Sequence, residues 1–241
     1  MKKILLTSIS IVITVFVFSQ TLTEDQVAPI PKGTQLVSII PLPIVTKVDT
    51  VISTDIYKSY NSFSVKNPLF IVYKLYQGGG DISRTDMAFK TGRYKKGQDQ
   101  SNYEHSGYDI GHMDNAEDNA NNKIFETETF FFFNSLPQTP KSNRGIWKSV
   151  EKKTRKKSAT DSLRIICGGF DFNLIRFRFL EKESFIIVPA YTFKIVKDLS
   201  TNQIKAYLFP NDNSNTDEEI DINQLLENIP FSREIIKLNL L

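Results

Sequence analysis

The chain has 241 residues, 40% of them hydrophobic and 24% charged, which suits one packed domain and excludes a disordered or collagen-like chain. Its formal charge of +3 is too small to attract a polyanion globally, so any such affinity needs a local basic patch. A single cysteine, Cys167, excludes an internal disulfide, and the 18 Phe and 9 Tyr favour strands over a helical bundle.

Residues 1–19, "MKKILLTSISIVITVFVFS", begin with two lysines, continue as an apolar and hydroxyl run and end in "VFS". The pattern predicts a secretory signal peptide cleaved after Ser19; an uncleaved anchor is the alternative, but the run is short for a membrane span. Cleavage removes Lys2 and Lys3 and no acid, lowering the formal charge from +3 to +1. A secreted or periplasmic protein without stable membrane insertion is expected. Residues 20–45 carry four prolines and no helical period, and read as an extended arm before a domain over 46–241.

"VTKVDTVIST" alternates β-branched residues and predicts a strand; "NPLFIVYKLY" predicts a stronger one. "QGGGD" then reads as a turn, since no Gly-Lys-Ser/Thr or helix follows. Residues 83–108 form a long polar loop, of the kind that often carries function. "YDIGH" is a strand ending at His112, and "ETFFFFNSLPQ" a strand in which Asn134 closes the aromatic run. Ile146, Trp147 and Val150 at helical spacing predict a helix over about 142–157, capped by Ser142 or Asn143. "SLRIICGGFDF", "SFIIVPAYTFKIVKD" and "QIKAYLFPN" read as three further strands, with Cys167 as a buried inert thiol, and "DEEIDINQLLENI" as a closing helix. The class is α+β, a central, mostly antiparallel sheet with one prominent helix.

The chemistry concentrates around that helix. Asn143, Trp147, Glu151 and Arg155 form one row along it. An amide oxygen and a carboxylate on one face suit Mg²⁺, which keeps most of its waters. A neutral imidazole, His112, can take a proton from water, and an arginine can grip a phosphate oxygen. Singly, each residue has a plainer reading. A strand-end His is usually structural, Asn143 is a common helix cap, and Glu151 with Arg155 is an ordinary i,i+4 pair. The run Lys152, Lys153, Arg155, Lys156, Lys157 suits a helix C-terminus.

Together, "SGYDIGHM" and "ETFFFFNSLPQTPKSNRGIWKSVE" resemble the core of the DNA/RNA non-specific endonucleases of the ββα-metal (His-Me finger) superfamily. That family's "DRGH", "SN..PQ" and "LN.G.W..LE" are matched by Asp109–His112, by Asn134 with Pro137 and Gln138, and by Asn143, Gly145, Trp147 and Glu151. The resemblance covers roughly residues 55–232, specific in the centre and looser in the flanks. It implies a ββα-metal motif and a nuclease acting on DNA and RNA through phosphate contacts. It further implies His112 as general base and Asn143 as the direct protein ligand of one Mg²⁺, with Mn²⁺ able to stand in. Glu151 would hold a metal-bound water, and Asn134 would support the scissile phosphate. Arg155 and, more weakly, Arg84 would contact phosphate. One departure stands out: Ile110 occupies the position of the family's arginine. Arg144 or Arg155 is then the substitute, or the chain is a weakened module that binds nucleic acid or a partner without cutting it. A structural β-rich domain is the third reading. An unperturbed imidazole base implies a rate that falls below about pH 6.5.

Overall fold

The computed structural model describes residues 47–92, 98–171, 175–178, 185–229 and 233–241; the predicted signal peptide and proline-rich arm lie outside them. In chain order the strands are β1 (Thr50–Ser53), β2 (Tyr57–Ser62), β3 (Asn67–Leu75), β4 (Asp109–His112), β5 (Ser135–Gln138), β6 (Leu163–Phe170), β7 (Ile175–Arg178), β8 (Phe185–Val188), β9 (Tyr191–Asp198), β10 (Ile204–Pro210) and β11 (Glu218–Ile220). The α-helices are α1 (Lys123–Thr129), α2 (Lys148–Ser158), α3 (Ile222–Asn228) and α4 (Arg233–Leu240). Seven strands make one antiparallel sheet in the order β1-β2-β3-β6-β9-β10-β11, and β4-β5 and β7-β8 are separate two-stranded ribbons. The expected α+β class and largely antiparallel sheet are observed.

Strand β9 shows how the layers stack. Successive side chains point to opposite faces, so Lys194 lies over the Trp147 ring while Lys197 donates to the Leu240 carbonyl at the end of α4. Trp147 and Val150 pack into the core with Phe193, Ile195 and Phe209, and Leu225, Leu226, Ile236 and Leu240 join the same cluster. Trp147 meets Phe209 edge-on at 5.1 Å. Cys167 is buried and donates to the Met113 carbonyl, and burial pushes its thiol up to about 12, as expected of an inert thiol.

Several local expectations change. The aromatic run is not a strand: α1 precedes it, a single 3₁₀ turn spans Phe132–Asn134, and β5 is only "SLPQ", so Asn134 precedes the strand. Pro189 splits "FIIVPAYTFKIV" into β8 and β9, because proline cannot donate to a ladder. The closing segment is β11 followed by α3, and α4 completes the chain. Neither Ser142 nor Asn143 caps the central helix. Residues 140–158 are helical, and the Thr139 hydroxyl accepts from the Ser142 N–H at 3.3 Å, with Pro140 just inside the start.

β4, β5 and this helix form the ββα unit, and one buried side chain fixes it to the rest. The Asn211 amide accepts from the Thr139 N–H at 2.9 Å and donates to the carbonyls of Pro137 and Pro189, each at 2.9 Å. It thus joins the end of β5, the helix start and the β8–β9 corner. Asn211→Ala should lower stability by about 2–4 kcal/mol, since three buried backbone groups lose their partner. Urea unfolding measures this, and an unchanged midpoint would contradict the clamp.

Candidate active site

The helix opens with a π-helical stretch, Ser142–Trp147, before continuing as α2. Its cause lies in the β10–β11 connection. Asn215, at φ +58°, offers its Oδ1 to the Ile146 N–H at 2.8 Å. Only glycine at 145 permits this, because a Cβ there would lie 2.0 Å from that oxygen. The wider turn carries Asn143, and single π turns of this kind are common at functional sites.

Asn143, Arg144, Glu151, Arg155 and Arg84 line one cleft of about 410 Å³, with Asn115, Glu117, Lys148 and Lys152. Five of the residues singled out from the sequence therefore meet. Asn143 donates through Nδ2 to Asp109 at 2.9 Å, leaving Oδ1 unengaged among the described residues. Arg144 grips the same carboxylate with Nε at 2.8 Å and a terminal nitrogen at 2.6 Å. Its fork is spent on Asp109. Arg155 donates through Nε to Asp118 at 2.6 Å, so its terminal nitrogens remain for another ligand. Arg84 pairs with Glu117 and, at 3.4 Å, with the buried carboxylate of Glu126.

His112 sits three residues beyond Asp109 on β4. Its ring lies between Phe89 at 4.7 Å and Phe130 at 4.8 Å. The ring is half-buried, and its buried Nε2 has no hydrogen-bond partner among the described residues. Burial, and next the charge of Arg84, push its pKa down to about 3. The reference value of 6.5 therefore does not apply, and the imidazole is neutral throughout the physiological range.

Asn134 does not reach the cleft. It is fully buried, accepts from the Asp114 N–H at 2.8 Å, and donates to the carbonyls of Asp114 at 2.9 Å and Thr129 at 2.8 Å. Its amide is spent on holding the chain just past His112. Much of the polar segment after His112 is likewise structural, although Asn115 and Glu117 also line the cleft. Asn115 and Asn122 cap short helical turns, Asn119 donates to Asp114, and Asp118 anchors Arg155. The glycine turn braces it: a Cβ at Gly80 would lie 2.1 Å from the Ala120 carbonyl.

Ile110 packs beside Phe89 and Tyr108 against Tyr103, Phe132 and Val188. The family's arginine position is thus an apolar contact here. One residue without a signal in the motif, Lys194, lies beneath the cleft. It is 1% exposed, its Nζ is 3.8 Å from Glu151 Oε1 and 4.4 Å from the centre of the Trp147 ring. Burial pushes Glu151 up to about 7 despite this cation, and raises Asp114 and Asp118 too. Only the rarity of a central-strand lysine in "TFKIV" could have flagged it.

Among the described residues no group of three or more His, Cys, Asp and Glu could hold a metal ion. The donor set that fits a divalent cation is instead the Asn143 oxygen with Glu151 on the same wall. One neutral oxygen suits an ion that retains its waters, and the buried Glu151 carboxyl, held up near 7, gains from a nearby positive charge.

A family model described as DNA/RNA non-specific endonuclease matches residues 45–232. Over 138 residues the chain is 26% identical to mitochondrial endonuclease G of Bos taurus, covering 52% of this chain and 45% of that protein. The human protein of the same name is 24% identical over 136 residues, covering 52% and 46%. A nuclease of Nostoc sp. is 31% identical over 96 residues, covering 40% and 34%. The matches span less than half the length of these relatives. Among solved structures, EndoG in complex with EndoGI superposes with a TM-score of 0.61 at 20% identity, over 74% of this chain and 82% of that one; the likeness is one of fold.

Replacing Lys194 by Met removes the buried cation beside Glu151. The expected loss is about 3–5 kcal/mol, the usual cost of stranding a buried charge. Glu151 is already raised above its unfolded value of 4.5, so its contribution to stability falls as pH rises toward about 7. Without Lys194 that fall should steepen, making the defect larger at about pH 8 than at about pH 6 in urea unfolding. Equal defects at both pH values would contradict the pairing.

Proposed function

The chain belongs to the DNA/RNA non-specific endonuclease family, and from that premise we propose that it is a metal-dependent endonuclease that hydrolyses phosphodiesters of both DNA and RNA. The observation that carries the reading is the single cleft that gathers Asn143, Glu151, Arg84 and Arg155; His112 does not line it, but lies close enough to Arg84 to feel its charge. Contacts from arginines go to phosphates, which carry no sequence information, so little sequence preference is expected.

His112 acts as the base. It takes a proton from a water whose oxygen bonds to phosphorus while the bond to the 3′ oxygen breaks. The products are a 5′-phosphate and a 3′-hydroxyl, whose proton comes from solvent. Phe89 and Phe130 fix the ring plane and exclude water from its inner edge. Asn143 would hold the cation through its oxygen and Glu151 would hold a water bound to it, and Asp109 orients the Asn143 amide so that its oxygen is free for this purpose. A bound Mg²⁺, with Mn²⁺ able to stand in, supplies Lewis-acid stabilisation of charge developing on the phosphate. Arg155, steadied by Asp118, presents its terminal nitrogens to phosphate oxygens. Arg84 is the cation nearest in effect to His112 and takes the role left open by Ile110. Arg144 positions Asp109, and Asn134 positions the segment behind the base.

Ile110 is the one feature that favours a second reading, a module that binds nucleic acid without cleaving it. We further propose that residues 1–19 direct export, placing the protein in the periplasm or outside the cell, with no stable membrane insertion of the mature chain. No helix among the described residues is long and apolar enough to cross a membrane.

Incubation of residues 20–241 with supercoiled plasmid and with total RNA tests the reading. Both substrates should be degraded with Mg²⁺ and survive with EDTA. His112→Ala should lower the rate roughly 10²–10⁴-fold with the fold intact. Intact substrates in every lane with retained DNA binding would establish the binding module instead.

The pH dependence has a definite sign. His112, held near 3, stays deprotonated, so the base gives no acid limb between about pH 8 and pH 5. Glu151 must lose its proton to face a cation, so metal affinity should rise up to about pH 7 and then level. Calorimetric titration of Mn²⁺ at several pH values measures this, and a pH-independent affinity would contradict it.

A further inference from the structure

Arg144, Lys148, Lys152 and Lys156 recur at four-residue spacing, a row of cations adjacent to the row that holds Asn143, Glu151 and Arg155. The first three line the cleft, and Lys156 lies one turn beyond it. Lys148, Lys152 and Lys156 are exposed, as are Lys141 and Lys153 off the row, and no ion pair among the described residues engages them, whereas Arg144 pairs with Asp109, Arg155 with Asp118, and Lys157 with both Asp161 and Asp198. The helix has one acid, Glu151, and it is buried.

A merely solvated helix face does not look like this. Like charges at i,i+4 destabilise a helix by a few tenths of a kcal/mol per pair, and surface helices normally intersperse glutamates. The helix dipole accounts for basic residues in the last turn, such as Lys156 and Lys157, but it disfavours cations near the start, where Arg144 and Lys148 stand. The row therefore opposes helix stability over most of its length. Each step advances about 6 Å, a spacing that matches successive phosphates along one strand.

We propose that Lys148, Lys152 and Lys156 form a phosphate track that holds one polynucleotide strand as it leaves the cleft. The ligand is a polyanion with phosphates at regular separation, engaged over three phosphates outside the scissile one. This rests on the nuclease reading for its direction and adds to that site a path for the strand beyond the scissile phosphate.

The test uses the mature chain and the variant K148Q/K152Q/K156Q. A control variant, K47Q/K58Q/K74Q, makes the same charge change elsewhere. Cleavage of a single strand of about 20 nucleotides is compared with that of a dinucleotide over a range of salt. The track variant should lose about 10–100-fold of the preference for the longer strand, expressed in KM. The slope of log(kcat/KM) against log[salt] should shrink by about 2, at roughly 0.7 for each phosphate no longer neutralised. The control should keep the wild-type preference. Unchanged preference and slope in the track variant, or equal losses in the control, would overturn the proposal. If the wild-type chain cleaves neither substrate, the nuclease reading fails. Fluorescence anisotropy of the labelled longer strand then decides the track by the same slope difference, whose absence would overturn it.

Discussion

The Asp109 carboxylate is the joint on which the site depends. It accepts from Asn143 and from both donors of the Arg144 fork, and so binds β4 to the π-helical start of the following helix. Because β4 is only four residues long, fixing Asp109 also fixes His112 at its other end. The same bond decides which atom of the Asn143 amide turns toward the cleft. A charge-assisted hydrogen bond thereby selects the oxygen that can face a cation. Asn215 and Asn211 complete the support from the distant β10–β11 side, one by shaping the π turn and the other by clamping its approach.

Beneath this lies an interior that carries more charge than a core normally tolerates. Asp114, Asp118, Glu151 and Lys194 are all buried, and Arg155 reaches Asp118 from the cleft wall. Burial raises all three acids, so they resist ionisation until positive charge is near. Lys194 provides part of that charge from below, and a cation on the Asn143 side would provide the rest from above. The floor of the cleft thus gathers three buried acids over one buried lysine, while the row Lys148, Lys152 and Lys156 stands exposed on the outside of the helix.

What is legible in the sequence follows from short-range periodicity. Asn143, Glu151 and Arg155 share a helix, so their common wall can be read from spacing, and Asp109–His112 form a compact strand signal. What is not legible depends on contacts between distant segments. Lys194 meets Glu151 from a strand far along the chain, and Asn215 reaches Ile146 across 69 positions. Asn134 lies inside the family pattern, yet its three buried bonds give it a supporting place rather than a place in the cleft. The aromatic run departs from expectation for a related reason. Its alternation is real, with Phe131 stacked on Phe133 at 4.9 Å and Phe130 and Phe132 turned to Phe89, but its pairing is confined to an isolated parallel bridge between Phe131 and Lys90. Tertiary packing overrides β propensity there. The pKa of His112 is equally hidden, because its burial between Phe89 and Phe130 arises from two separate loops.

The most direct test of the central claim is a calorimetric titration of Mn²⁺ into the mature chain, Asn143→Ala and Asp109→Ala at about pH 8, where Glu151 is ionised. The expected result is one site in the wild-type chain, its loss in Asn143→Ala, and a weakening of about 10–100-fold in Asp109→Ala through the freed amide. Wild-type affinity in Asn143→Ala would contradict the assignment of this cleft as the cation site, and with it the mechanism built around His112.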